Sequence, residues 1–322
     1  MKILKILGFV LAIVLFVILG AGLYVNFTQP SVGPAPTLTV ATDSITIARG
    51  KYLANHVSVC IDCHSTRDWS LFSGPVVSGT EGSGGEVFDH NAGFPGKIYS
   101  SNLTPAALSE WSDGELYRAI TAGVNKNGDA LFPLMAYNRF GKMSRDDISS
   151  IIAYLRSLKP IQRSVPKTTL DFPVSIINKL SPKLADHQPL PKASDTIKYG
   201  AYLVNAAGCV DCHSKQDKGK IVAGTEFGGG MEFRQPSGII RAPNITKHQT
   251  AGIGSWTKEL FVARFKSYET AELTKVGKNE LNSPMPWKMY SGMTAQDLSA
   301  IYTYLRTLPP QSNQVELKSY NK

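Results

Sequence analysis

Cysteine is scarce in this chain. There are four among 322 residues, and none lies outside two copies of one pentapeptide. No thiol is left for a separate structural or catalytic role. Charge is also sparse, at 18% of residues beside 43% hydrophobic, which fits a folded protein and excludes a disordered one. The net charge is +9. No basic helix and no tandem Lys/Arg run gathers it, so the pattern argues against nucleic-acid binding. Diffuse positive charge suits an acidic protein partner or an anionic membrane surface. Few runs alternate with strand period, which leaves helix as the main element.

The pentapeptides are Cys60-Ile61-Asp62-Cys63-His64 and Cys209-Val210-Asp211-Cys212-His213. Cys-x-x-Cys-His is the attachment signature of c-type haem. Two thiols add to the two haem vinyl groups, and the adjacent imidazole ligates the iron. One helical turn must present both sulfurs and the imidazole to one porphyrin edge, which fixes the spacing. A thioredoxin-type redox pair would need a βαβ context. A Cys₄ zinc site is excluded by spacing, since Cys60 and Cys209 are 149 residues apart. Two covalent haem c groups are therefore expected, on Cys60 and Cys63 and on Cys209 and Cys212, with His64 and His213 as axial ligands.

The N-terminus carries no charge over residues 6–25, and Lys2 and Lys5 precede this run. Twenty helical residues span about 30 Å, the thickness of a bilayer core. The lysines hold that end in the cytoplasm, so the rest of the chain is expected outside, in the periplasm. A cleaved signal peptide is the competing reading. Its apolar region is normally shorter, and Gly20-Ala21-Gly22 is only a weak cleavage site, so an uncleaved single-pass anchor in the inner membrane is expected. Covalent haem attachment belongs to the exported side, in agreement with this topology.

The chain also repeats itself. Gly50-Lys51-Tyr52-Leu53 echoes Gly200-Ala201-Tyr202-Leu203, Asn102-Leu103-Thr104 echoes Asn244-Ile245-Thr246, and Trp111 echoes Trp256. Residues 151–158 match residues 301–308 at an offset of 150. Two copies read as a duplicated domain of ordinary size. Ser144 with Asp147, Thr294 with Asp297, and Ser112 with Glu115 mark helix starts close to capping boxes. Prolines 160, 166, 173, 182, 189 and 191 make the intervening segment a semi-extended connector. The expected divisions are 1–25 anchor, 26–42 spacer, 43–160 first domain, 161–193 linker, 194–312 second domain and 313–322 tail.

A haem that only transfers electrons needs a second axial ligand, and methionine thioether raises its potential. Met135 and Met285 stand at equivalent places, 150 residues apart, in proline-flanked loops before the final helices. They are the candidate sixth ligands. Met143 and Met293 are equivalent too, but each directly precedes a helix cap, where a packed staple residue belongs. Met289 and Met231 lack methionine counterparts, and His90 and His248 are not equivalent in the repeat.

These residues resemble the class I cytochromes c in a membrane-anchored dihaem form, over residues 43–160 and 194–310. Asn102-Leu103-Thr104-Pro105, Trp111-Ser112, Met285-Pro286 and Tyr304-Leu305-Arg306-Thr307-Leu308-Pro309-Pro310 are similar to motifs in the cytochrome subunits of bacterial membrane-bound alcohol and aldehyde dehydrogenases. Those subunits commonly have three haem domains, and here Ala136 and Lys247 replace the prolines after Met135 and Thr246. The resemblance implies an all-α fold: two tandem class I cytochrome c domains behind one transmembrane helix, the first and last helices of each domain crossing. Gly50 and Gly200 either permit that crossing beside Tyr154 and Tyr304 or merely interrupt the helix.

The expected function is electron transfer, with no bond chemistry by side chains. The donor would be a dehydrogenase or a quinol-oxidising complex, and the acceptor a terminal oxidase or soluble cytochrome. The alternative is a dihaem redox enzyme, of peroxidase or thiosulfate dehydrogenase type, with one displaceable axial ligand.

Overall fold

The computed structural model describes residues 2–270, 272 and 274–321. It opens with α1 (Lys2–Thr28), which has no buried side chain. Its 27 residues measure about 40 Å. Among the described residues it is the one helix long and apolar enough to cross a bilayer. It runs on to Thr28, past the expected end at residue 25.

Two units of matching order follow. The first holds α2 (Ser44–Tyr52), a π-helical turn (Leu53–Val57), α3 (Cys60–Cys63), α4 (Pro105–Leu108), α5 (Asp113–Ala122), α6 (Tyr137–Phe140) and α7 (Arg145–Ser157). The connector carries the short α8 (Val174–Ile177). The second unit holds α9 (Thr196–Ala207), α10 (Cys209–Cys212), α11 (Lys258–Lys266), α12 (Trp287–Tyr290) and α13 (Ala295–Leu305). The helix starts follow their caps: Asp43 accepts from the Ile45 and Thr46 amides, and Asp195 from that of Lys198. Ser112 and Glu115 close a complete capping box on α5.

In each unit the first helix lies against the last, α2 on α7 and α9 on α13. Glycine permits the contact. A Cβ on Gly50 would stand 1.8 Å from the Ser150 carbonyl oxygen, and one on Gly200 2.0 Å from that of Ala300. These glycines therefore serve close approach, not helix interruption. Unit 1 has one more residue than unit 2 between this glycine and its motif. The excess is taken up as the π-helical turn, whereas α9 runs unbroken to Ala207.

Apolar stripes at helical spacing build the core. Leu53, Ile148 and Ile152 of unit 1, with Leu203, Leu298 and Leu305 of unit 2, are fully buried in one cluster that crosses both units. Burying each such side chain stabilises the fold by about 1.5–3 kcal/mol.

The core is helical, as expected for an all-α fold, but short strands from the loops, the connector and the tail add small antiparallel sheets. Strands β1 (Val87–Phe88), β2 (Gly96–Tyr99) and β3 (Thr169–Leu170) form one sheet. The two-stranded β4 (Gln216–Asp217) and β5 (Lys220–Ile221) follow, then β6 (Glu232–Gln235), β7 (Gly238–Arg241) and β8 (Lys318–Tyr320). β3 comes from the connector and pairs with β2, while β8 comes from the tail and pairs with β7. The repeat thus runs further along the chain than its motifs do. The rest of the connector straps unit 1. His187 lies between the Tyr117 hydroxyl, at 2.6 Å, and the Met143 carbonyl, at 2.6 Å. Asn178 donates to the carbonyls of Ala130 and Leu131.

Candidate haem sites

Each Cys-x-x-Cys pair forms a single helical turn that ends on its histidine. The four thiols form no disulfide. Cys60, Cys63 and Cys209 are half-buried, and desolvation pushes their thiols up to about 12, so they are protonated at neutral pH.

The histidines are held identically. His64 Nδ1 is 2.7 Å from the Ser101 carbonyl oxygen, and His213 Nδ1 is 2.8 Å from that of Pro243. Burial lowers the pKa of both rings, so both are neutral at pH 7. A carbonyl can only accept, so Nδ1 must carry the proton. Nε2 is left with a bare lone pair in a fixed direction, the state a metal-ligating histidine needs.

The carbonyl that orients each ring is itself fixed by the next residue. Asn102 Oδ1 accepts from the Thr104 amide and hydroxyl, and Asn102 Nδ2 donates to the Ile161 carbonyl at 2.9 Å. Asn244 does the same with Thr246 and the Gln311 carbonyl. A glycine packs on that backbone segment in each unit. Gly84 and Gly229, both at φ +71°, donate their amides to the His64 and His213 carbonyls. A Cβ at either would lie 2.5 Å from backbone atoms of the Ser101–Asn102 or Pro243–Asn244 peptide. The Asn-x-Thr echo was visible in the sequence. Its role was not, because it acts through a backbone carbonyl.

Met135 and Met285 occupy equivalent turns. The Tyr137 amide donates to the Met135 carbonyl at 2.7 Å, and the Trp287 amide to that of Met285 at 2.8 Å. Met135 and Cys60 pack against the same core cluster, while Met285 lies beside a loop of unit 1. Met143 and Met293 are fully buried in the core, as a staple position requires. Met289 lends its carbonyl to His56 Nδ1 at 2.8 Å, and Met231 lends its own to the Ala242 amide. His90 is an exposed partner of Asp171, and His248 Nδ1 accepts the Thr250 and Ala251 amides within its own turn.

The second motif reaches across the boundary between units. Asp211 of the second motif pairs with Arg139 of α6, just after Met135. Asn205 donates to the Arg139 carbonyl at 3.1 Å, matching the His56 contact with Met289. Tyr290 donates to the Ala207 carbonyl at 2.7 Å. Burial holds its hydroxyl well above its usual pKa of 10, and the thiols of Cys209, Cys212 and Cys63 and the carboxyl of Asp62 add to the shift.

Neutral thiols paired on one turn beside a histidine with a bare Nε2 fit covalent haem c. Residues 197–309 match the family described as cytochrome c. This segment is a cytochrome c domain. Similarity runs well beyond it. The chain is 28% identical over 286 residues to the fructose dehydrogenase cytochrome subunit of Gluconobacter japonicus, covering 83% of this chain and 53% of that protein. It is 26% identical over 293 residues to the cytochrome c subunit of a quinone alcohol dehydrogenase from Gluconacetobacter polyoxogenes, covering 86% and 59%. It is 24% identical over 295 residues to the gluconate 2-dehydrogenase cytochrome c subunit of Pantoea cypripedii, covering 83% and 60%. The chain thus spans a little over half the length of these relatives. The cytochrome c domain contains His213 and Met285 together with the Asn244 clamp, and unit 1 repeats each of those parts.

Proposed function

We propose that this chain is a membrane-anchored electron carrier with two haem c groups, one in each of two tandem cytochrome c domains. Cys60 and Cys63 tether the first, and Cys209 and Cys212 the second. His64 with Met135, and His213 with Met285, supply the axial ligands. When bound, haem provides the one-electron couple, and thioether ligation favours its reduced state. The chain's own residues do the rest. Ser101 and Pro243 carbonyls fix the imidazoles, the core excludes water, and the charged surface selects the partner. The observation that carries this reading is the duplicated Nδ1–carbonyl bond, which aims a bare Nε2 from both motifs.

Helix α1 would hold both domains at the outer face of the cytoplasmic membrane. A dehydrogenase fits as donor, because the relatives are named as cytochrome subunits of fructose, alcohol and gluconate dehydrogenases. A quinol-oxidising complex is the other donor class, and a terminal oxidase or soluble cytochrome would accept. Carbon monoxide tests the closed coordination. Reduced protein with two methionine-capped haems should leave its Soret band unchanged on exposure at neutral pH. Ready carbon monoxide binding with peroxide turnover would instead mark an enzyme with a displaceable ligand.

A further inference from the structure

Unit 1 has four more residues than unit 2 between its second motif cysteine and the Gly-Thr-Glu echo, Cys63 to Gly79 against Cys212 to Gly224. The extra length forms a loop over residues 67–74 that leaves its own unit. The Phe72 amide donates to the Thr274 carbonyl and the Val276 amide to that of Ser70, both at 2.8 Å. The loop then closes on the turn that carries Met285. Buried Ser73 donates its hydroxyl to the Met285 carbonyl and accepts the Trp287 amide at 3.1 Å. Its amide donates to Asn282 Oδ1 at 2.8 Å. Buried Asn282 returns its own two donors to the carbonyls of Trp69, at 3.1 Å, and Leu71, at 2.9 Å.

The base of the loop is tied to the first motif. Arg67 pairs with Asp62 at 3.0 Å and donates to the carbonyls of Gly74, at 2.7 Å, and Ser73, at 2.8 Å. A continuous path of one ion pair and several hydrogen bonds therefore runs from the Cys60–Cys63 turn to the backbone around Met285. Among the described residues nothing equivalent reaches Met135. Among the described residues its carbonyl accepts only the local Tyr137 amide, and unit 2 supplies no hydroxyl there.

We propose that Ser73 and Asn282 are positioning residues for Met285, so that the first domain sets the axial ligation of the second haem. This rests on Met285 being that ligand. A thioether bond to iron is weak, and its population depends on how firmly the loop presents the sulfur. One hydrogen bond is worth about a factor of ten in such an equilibrium.

The test uses full-length holoprotein and two variants, Ser73→Gly and Asn282→Asp. Glycine suits the φ of +67° at residue 73 and removes the hydroxyl together with the Cβ that carries it. Aspartate keeps the acceptor and removes both donors. The readouts are the ring-current-shifted methionine methyl signals of the reduced protein, the two reduction potentials, and alkaline loss of the far-red sulfur-to-iron band. In both variants one methionine's signals should move and one potential should fall. The methionine-bound fraction of that oxidised haem should drop about tenfold relative to the unbound fraction, with the other haem unchanged. Two sets of signals at wild-type positions would overturn the proposal. So would equal disturbance of both haems, which would make the loop a general brace. Met285→Ala separates the two claims. If it leaves both methionine signal sets in place, the ligand assignment has failed. If it removes one set while Ser73→Gly changes nothing, only the positioning claim has.

Discussion

Tyr202 Oη donates to Asp147 Oδ2 at 2.6 Å and accepts the Ser144 amide at 3.1 Å. Ser144 is the N-cap of α7, and Asp147 is its third residue. In a capping box a glutamate there reaches back to the N-cap amide, as Glu115 does on α5. Aspartate is one methylene shorter, and a tyrosine from the other unit bridges the gap. The partner relationship is the same. Tyr52 accepts the Thr294 amide at 3.1 Å and donates to Asp297, capping α13. Each unit therefore completes the last helix of the other.

Replacing Tyr202 by Phe strands the buried Ser144 amide and takes from Asp147 Oδ2 one of its two donors, the other being Arg49 Nη2 at 2.9 Å. Stability should fall by about 1–3 kcal/mol. The doubly substituted Tyr52→Phe/Tyr202→Phe protein should lose more than either alone. Denaturant unfolding followed by circular dichroism measures both losses, and wild-type midpoints would contradict the bridging role.

These two hydroxyls and that of Tyr199, which donates to Asp297 Oδ1 at 3.1 Å, set an alkaline limit. Burial raises Tyr52, Tyr199 and Tyr202 above their usual 10, aided by Asp297 for the first two and Asp147 for the third, with Tyr199 at about 12. Above pH 10 the unfolded chain releases these protons while the folded chain keeps them. Their stabilisation is thus complete below about pH 10 and is lost as pH rises through the folded values. Reduced protein should unfold more easily from pH 10 upward, and Tyr52→Phe/Tyr202→Phe should flatten that slope.

Gly50→Ala forces a methyl into the Ser150 carbonyl, 1.8 Å from the ideal Cβ position. Helices α2 and α7 must separate, at about 1–3 kcal/mol or more. Gly200→Ala acts alike on α9 and α13. Thermal unfolding should show a lower midpoint for each, and an unchanged midpoint would show that the crossing has slack.

Arg67→Ala removes the partner of a carboxylate that is 5% exposed. An uncompensated buried charge costs about 3–5 kcal/mol. Asp62→Asn should cost less than Arg67→Ala, because it leaves a neutral amide beside an arginine with carbonyl partners at Ser73 and Gly74. Equal losses, measured by denaturant titration, would contradict this ordering.

Local features were legible in the sequence. Residues 6–25 and the caps at Ser112, Ser144 and Thr294 depend on neighbours in the chain, and each led to the right element. Strands β1 to β8 have only two to four residues each, too few to show alternation. The contacts between units were hidden as well. Tyr52 and Tyr202 read as echoes of each other, but nothing local says that each caps a helix start 55 or more residues away in the other half of the molecule, nor that Arg67 and Ser73 link one motif to the opposite methionine loop. Long-range pairing between polar side chains leaves no periodic trace.

Intact mass and thiol titration of the mature protein, made in cells that mature c-type cytochromes, test the central claim most directly. Two thioether-linked haems per chain and no free thiol among Cys60, Cys63, Cys209 and Cys212 are predicted. One haem with two free thiols, or a haem-free chain with four, would contradict it.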